Sequence, residues 1–349
     1  ANGTTVSDYH ESEQKRGISI HATLLHTEWQ GKKLNIIDTP GYLDFISEAL
    51  GALRVCDFAM VVVHAVDGIG LGTERVWKYA TDFGIPKLLV VNMLDKEHTD
   101  FNGILAKLKE LFGRKVFPLA LPVNPGPAFD RVLDVMRQAV MTYSQDHSGK
   151  FSESAPSGEL AEEGKRLHAE LVELIAESDD SLLEKFLEQG SLSEEEMRGG
   201  VHTALQRGDI IPVFCTAGER NVGVARLMDF VAKYGSSPAD RPVAQGLSPN
   251  DEPVEVKLAD SQTALHVFKT LNEPHIGEMS FFRVYSGHAR FGSDLFNVNR
   301  NVTERIGQIF VLNGKNRQNV NTLVAGDLGA VVKLKNTHTG DTLCTPGLS

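Results

Sequence analysis

The sequence predicts an α/β domain on a parallel sheet, carrying an acidic helical insert and followed by an all-β barrel. Three observations point there. Apolar runs at residues 34–37, 59–63 and 88–91 recur roughly 25 residues apart, with helical stretches between them, which is the spacing of βαβ units. Residues 151–200 hold fourteen Asp and Glu against four Lys and Arg, so most of the net charge of −11 sits in that window. Beyond Pro238 the helical periodicity fades into short apolar runs split by glycine-containing turns, the pattern of a small closed barrel.

Each element has its reason, taken in chain order. The runs at 34–37, 59–63 and 88–91 are apolar enough for strands covered on both faces. Runs at 116–119 and 210–214 continue the pattern, and right-handed crossovers between such strands give a parallel sheet. In the acidic window Leu160, Leu167, Leu171 and Leu174 recur at helix spacing among glutamates. SLLE at 181–184 and SEEE at 193–196 read as capping boxes, a serine followed three residues on by a glutamate. Ser236, Ser237, Pro238, Pro242 and the polar stretch 247–253 read as a linker. The later runs lie at 264–269, 279–285, 295–297, 305–312, 327–334 and 342–344. The expected boundaries are residues 1–121 with 207–242 for the α/β domain, 122–206 for the insert, 243–252 for the linker and 253–349 for the barrel.

Composition excludes some classes. Hydrophobic content of 41% and charged content of 23% are those of a globular chain. No apolar run nears the ~20 residues of a membrane-spanning helix. Cys56, Cys215 and Cys344 are too few and too far apart for a disulfide framework, which fits a reducing cytosol and a cytoplasmic protein. The negative charge argues against a protein that coats nucleic acid, without excluding a locally basic face.

Ligands of open parallel sheets sit at the carboxyl ends of the strands, and three strands here end on polar residues suited to a nucleotide. The first ends at Asp38, followed by Thr39, Pro40, Gly41 and Tyr42. A carboxylate there can hold Mg²⁺ through water, and Gly41 lets a backbone N–H approach a terminal phosphate. The third ends in Asn92, Met93, Leu94 and Asp95. Asp95 can accept two hydrogen bonds from the N1–H and exocyclic amine of guanine, a donor pair that adenine lacks. The last runs into Thr216 and Ala217, where a backbone N–H could complete the contact at O6.

On these residues the chain resembles the translation GTPases, most closely bacterial elongation factor G and its paralogues. EQKRGISI at 13–20 is similar to the end of that family's first switch, and DTPGYLDF at 38–45 to its second. Asn92 to Asp95 resembles its guanine-recognition motif. The acidic segment lies where elongation factor G carries an inserted subdomain. FFRVYSG at 281–287, AGDLG at 325–329 and TGDTLC at 339–344 resemble the following β-barrel domain.

The resemblance implies an enzyme that binds GTP or GDP with Mg²⁺ and hydrolyses GTP on the ribosome, in translocation or a related step. It implies Ser19 and Asp38 at the metal, Gly41 at the γ-phosphate and Tyr42 at the attacking water. Thr39 and Pro40 belong to the nucleotide site. Asn92, Met93, Leu94, Asp95, Thr216 and Ala217 lie at the base. Its implied partners are ribosomal RNA and proteins, including the large-subunit stalk, with no membrane, for a monomer. The other reading is a nucleotide-gated ribosome-binding or ribosomal-protection factor with little hydrolysis.

The chain departs from the family in four ways. No GxxxxGK[ST] stretch occurs, so a fragment lacking the phosphate loop and the C-terminal domains is expected, inactive alone. Ser19 stands where the family has threonine, Met93 where it has lysine and Tyr42 where it has histidine. A phenol with its ordinary pKa near 10 is a poor acid or base at neutral pH, so a slowed GTPase is expected.

Overall fold

The computed structural model describes residues 5–248, 250–273 and 276–348. The chain divides into two compact units, Ala1–Asp57 with Ser236–Ser349, and Phe58–Gly235.

The first unit opens with α1 (Glu11–Arg16), which ends on Gly17 in the left-handed region. β1 (Thr23–Trp29) and β2 (Lys32–Asp38) form an antiparallel hairpin that sets Thr23 opposite Asp38. This corrects the expectation that the run at 34–37 joins the parallel sheet. β2 pairs instead with β1 across the two-residue turn Gln30-Gly31, both residues at positive φ. A 3-10 turn (Leu43–Phe45) leads into α2 (Ile46–Val55), with Ala49, Ala52 and Val55 buried.

The second unit runs β3 (Ala59–His64), α3 (Leu71–Asp82), β4 (Lys87–Asn92), α4 (Phe101–Phe112), β5 (Val116–Pro118), β6 (Ala120–Pro122), β7 (Arg131–Asp134), β8 (Ala139–Tyr143), β9 (Phe151–Ser154), α5 (Gly158–Glu177), α6 (Asp180–Gln189), α7 (Glu194–Arg207), β10 (Ile211–Cys215) and α8 (Val224–Tyr234). β3, β4, β10 and β5 form the parallel sheet in that spatial order. Register places His64 beside Asn92 and Cys215 beside Val91, which brings three carboxyl ends level. Leu88, Leu89, Val91 and Val213 are fully buried, as a covered strand requires. β3 departs from that expectation: it ends the sheet, and Met60 and Val62 stay exposed.

The acidic segment does not consist of helices alone. β6 to β9 make a four-stranded antiparallel sheet ahead of α5, α6 and α7. The run at 116–119 therefore serves two sheets, β5 in one and β6 just beyond it in the other. Leu133, Met141, Leu171, Ile175 and Leu205 are completely buried and join these strands and helices to the parallel sheet's core. The capping box at Ser193 and Glu196 forms. SLLE at 181–184 does not cap, because Asp179 takes the N–H groups of Ser181 and Leu182 and starts α6 earlier.

The remainder of the first unit is β11 (Val243–Leu247), β12 (Pro253–Lys257), β13 (Ala264–Glu273), β14 (Gly277–Ser286), β15 (His288–Arg290), β16 (Asp294–Asn297), β17 (Val302–Arg305), β18 (Ile309–Asn313), β19 (Asn316–Val320), β20 (Thr322–Val324), β21 (Leu328–Val332) and β22 (Thr342–Cys344). Eight of these form one antiparallel sheet, in the order β17-β16-β22-β13-β14-β21-β18-β19, and β15 pairs with β20. β11, in the stretch expected as a linker, pairs antiparallel with β12, in the stretch expected as the barrel. The run at 305–312 holds the ends of two strands rather than one. Val267, Phe282, Val284, Ile309 and Leu343 form the barrel core. A second cluster joins Leu24 and Val55 to Phe268, Met279, Phe281 and Ala330, so residues 5–57 share apolar burial with the barrel.

Candidate functional site

The residues singled out from the sequence fall into two groups, one in each compact unit. In the first unit Asp38 closes β2 and is half-buried. Burial pushes its carboxyl above the ordinary range. A hydrogen bond from Ser7 works against that, while the negative charges of Asp8 and Glu13 add to it. Asp8 is 6% and Glu13 0% exposed. Glu13 is structurally committed: it accepts hydrogen bonds from the N–H groups of Ile20 and His21, both at 2.9 Å, in the two positions that follow Ser19.

Thr39 is half-buried and Pro40 buried. A Cβ at Gly41 would meet nothing within 4 Å, so packing inside the chain does not demand glycine there. Tyr42 precedes the 3-10 turn in extended conformation, with its carbonyl accepting from the Phe45 N–H at 3.0 Å. Its side chain is 56% exposed. Tyr42 makes no ring–ring contact among the described residues.

In the second unit the ends of β4 and β10 meet. Asn92 Oδ1 accepts from the Thr216 hydroxyl at 2.9 Å and from the Gly218 N–H at 2.9 Å. The Leu94 N–H donates to the Thr216 carbonyl and the Thr216 N–H to the Val91 carbonyl. Leu94 is buried completely and pins the loop to the core. Met93 lies at φ 68, a left-handed conformation that costs a non-glycine residue about 1 kcal/mol. Strain held at a strand end by surrounding bonds is a mark of a functional turn. The Asp95 side chain is 9% exposed, with Lys96 Nζ at 3.7 Å, and Lys96 also lies 3.7 Å from Glu219.

Sequence reasoning placed a useful backbone N–H near Ala217. Ala217 is fully buried, and its N–H is taken by the Val222 carbonyl at 3.0 Å, with a return bond from Val222 at 3.1 Å. That bridge closes the loop over Gly223, at φ 78, where a Cβ would sit 2.4 Å from the Cys215 carbonyl oxygen. The N–H that bonds to Asn92 Oδ1 belongs to Gly218, which the sequence reading does not assign. The signal was available only in part. The glycine is visible, but which amide the Ala217–Val222 bridge consumes is not.

The first group offers oxygen donors, the half-buried Asp38 carboxylate and the Ser19 hydroxyl, suited to a hard cation. The second offers a carboxylate that can accept two parallel donors, braced by an asparagine whose own acceptor is filled. Among the described residues no group of three or more ligating side chains is gathered, and no helix is long and apolar enough to cross a membrane.

The family model of the elongation factor Tu GTP binding domain matches residues 1–237, and that of elongation factor G domain 2 matches residues 263–346. A crystal structure of a protein from Thermus thermophilus is similar over 100% of this chain and 49% of its own, at 29% identity and a TM-score of 0.87. The chain thus spans about half the length of the solved protein it matches.

Proposed function

Since this chain belongs to the translation GTPases, of the elongation factor G type, we propose that it binds GTP and GDP and serves GTP hydrolysis on the ribosome. The observation that carries the reading is the corner of Asn92, Asp95, Thr216 and Gly218 at the ends of two adjacent parallel strands. Asn92 holds the two loops together, and Asp95 receives the N1–H and exocyclic amine of guanine. Thr216 and Ala217 line the base from the other loop, and the stem of Met93 packs on its face.

In the other unit, Ser19 and Asp38 would hold Mg²⁺. The residues fit a hard cation: a half-buried carboxylate near the negative charges of Asp8 and Glu13 is short of positive charge, and a hydroxyl supplies a second oxygen. When bound, Mg²⁺ neutralises charge on the phosphate oxygens. Thr39 and Pro40 shape the turn that presents the Gly41 N–H to a terminal phosphate, and Tyr42 orients water there. Partners in this reading are ribosomal RNA and proteins, with the insert at residues 122–206 meeting the large-subunit stalk through its apolar side chains. The protein works as a monomer in the cytoplasm. The domain limits expected from the sequence are kept in this reading.

Competition against a fluorescent GDP derivative in the full-length polypeptide tests the base corner. GDP should displace the probe at least a hundredfold more effectively than ADP, since adenine offers Asp95 no matching pair of donors. Equal displacement would remove the base assignment.

A further inference from the structure

We propose that Lys269 is a positioning residue that ties two segments, the stretch 19–22 and the helix after Tyr42, to the barrel through one carboxylate oxygen. Lys269 lies on β13 with its side chain 7% exposed. Its Nζ donates to the Ala22 carbonyl at 2.8 Å and to Glu48 Oε2 at 2.7 Å. The same Oε2 accepts from the Ala22 N–H at 2.7 Å. Glu48 stands in the first turn of α2. Three segments distant in sequence therefore share one closed set of hydrogen bonds.

The tie is a built feature of the unit. Burial draws the Lys269 ammonium below the ordinary lysine range, and the Glu48 carboxylate opposes that. A buried ammonium without its carboxylate would be strongly unfavourable, and so would the reverse. The far end of α2 is fastened as well. Arg283 on β14 donates to the Val55 carbonyl and to Asp57, each at 2.7 Å, and the Tyr285 hydroxyl donates to the Arg54 carbonyl at 3.1 Å. Midway, a Cβ at Gly51 would stand 3.1 Å from the Phe268 carbonyl oxygen, so α2 lies close against β13. Helix α2 is held at both ends, and the Lys269 end also holds the segment that leaves Ser19. A shift of either segment must break the shared oxygen contact or carry the barrel strand along. That the tie serves nucleotide switching rests on the reading above; the tie itself does not.

Amide hydrogen exchange on residues 1–349 without nucleotide tests it, independently of whether GDP binds. In Lys269→Met the Ala22 amide should exchange at least tenfold faster, because Glu48 loses its counter-charge and turns to water. The Val267 amide, bonded to the Asp341 carbonyl at 2.9 Å, is the reference for an intact barrel. Lys269→Arg should return Ala22 to within threefold of the parent. If Lys269→Met does not fold, Glu48→Gln reads the same amide with the same tenfold expectation. An unchanged Ala22 rate in a folded variant, or an arginine variant as fast as the methionine one, overturns the proposal.

Discussion

Asp95→Asn is expected to weaken GDP binding in the full-length polypeptide and to favour xanthosine diphosphate. The amide presents an N–H₂ group where guanine presents its own exocyclic donor, so one hydrogen bond becomes a clash of donors. Xanthine has a carbonyl at that position and accepts instead. The Asp95 side chain is 9% exposed, so water does not repair the mismatch. A buried unsatisfied group costs about 1–3 kcal/mol, which corresponds to roughly 5- to 150-fold in affinity. Calorimetry with the two diphosphates reads the exchange directly. The brace should survive, because Asn92 bonds to Thr216 and Gly218 rather than to Asp95. An unchanged preference for GDP would take Asp95 out of the base site.

Tyr42→His is expected to raise ribosome-stimulated GTP hydrolysis by at least tenfold. That is about 1.4 kcal/mol of barrier, modest for a positioned acid–base group, whose usual contribution is ~10²–10⁴-fold. An imidazole can donate, accept or carry charge near neutral pH, whereas a phenol hydroxyl serves chiefly to orient a water. The side chain is 56% exposed, so the exchange costs little packing. GDP affinity should hold nearly constant. Tyr42→Phe separates the hydroxyl from the ring: if the hydroxyl orients water, the phenylalanine variant is slower than the parent. A histidine variant no faster than the parent would show that the tyrosine does not limit hydrolysis.

The central strands were legible because burial on both faces leaves only one kind of sequence. LLVV in β4 and IPVFC in β10 could hardly be anything else. The hairpin of β1 and β2 was not legible from spacing, since a run of apolar residues carries no sign of parallel or antiparallel pairing. The decisive element was the short turn at Gln30 and Gly31. β19 and β20 escaped for a different reason: NRQNV is almost wholly exposed, and an edge strand held by its backbone needs no apolar pattern.

The site divides the same way. Asn92 and Asp95 follow a buried strand and announce themselves. Gly218 depends on a bridge between Ala217 and Val222 that consumes the neighbouring amide. Lys269 and Glu48 are 221 positions apart, and nothing local in either stretch marks them as partners.

The division of the first unit also has a consequence for the order of events during synthesis. Residues up to Asp57 belong with a segment that begins at Ser236. Roughly 290 residues separate Asp57 from the end of β22 at Cys344, and at ~5–20 residues per second their translation takes about 15–60 s. The second unit is continuous in sequence and can close first. Meanwhile the β1–β2 hairpin waits without its barrel, and a lone two-stranded hairpin is marginal in water. Refolding of the whole chain has no synthesis delay, but the hairpin's contacts with the barrel remain distant in sequence and slow to close. Pulse-labelled exchange is expected to find the β4 amides protected before those of β1; simultaneous protection would mean that the hairpin finds support before the barrel forms.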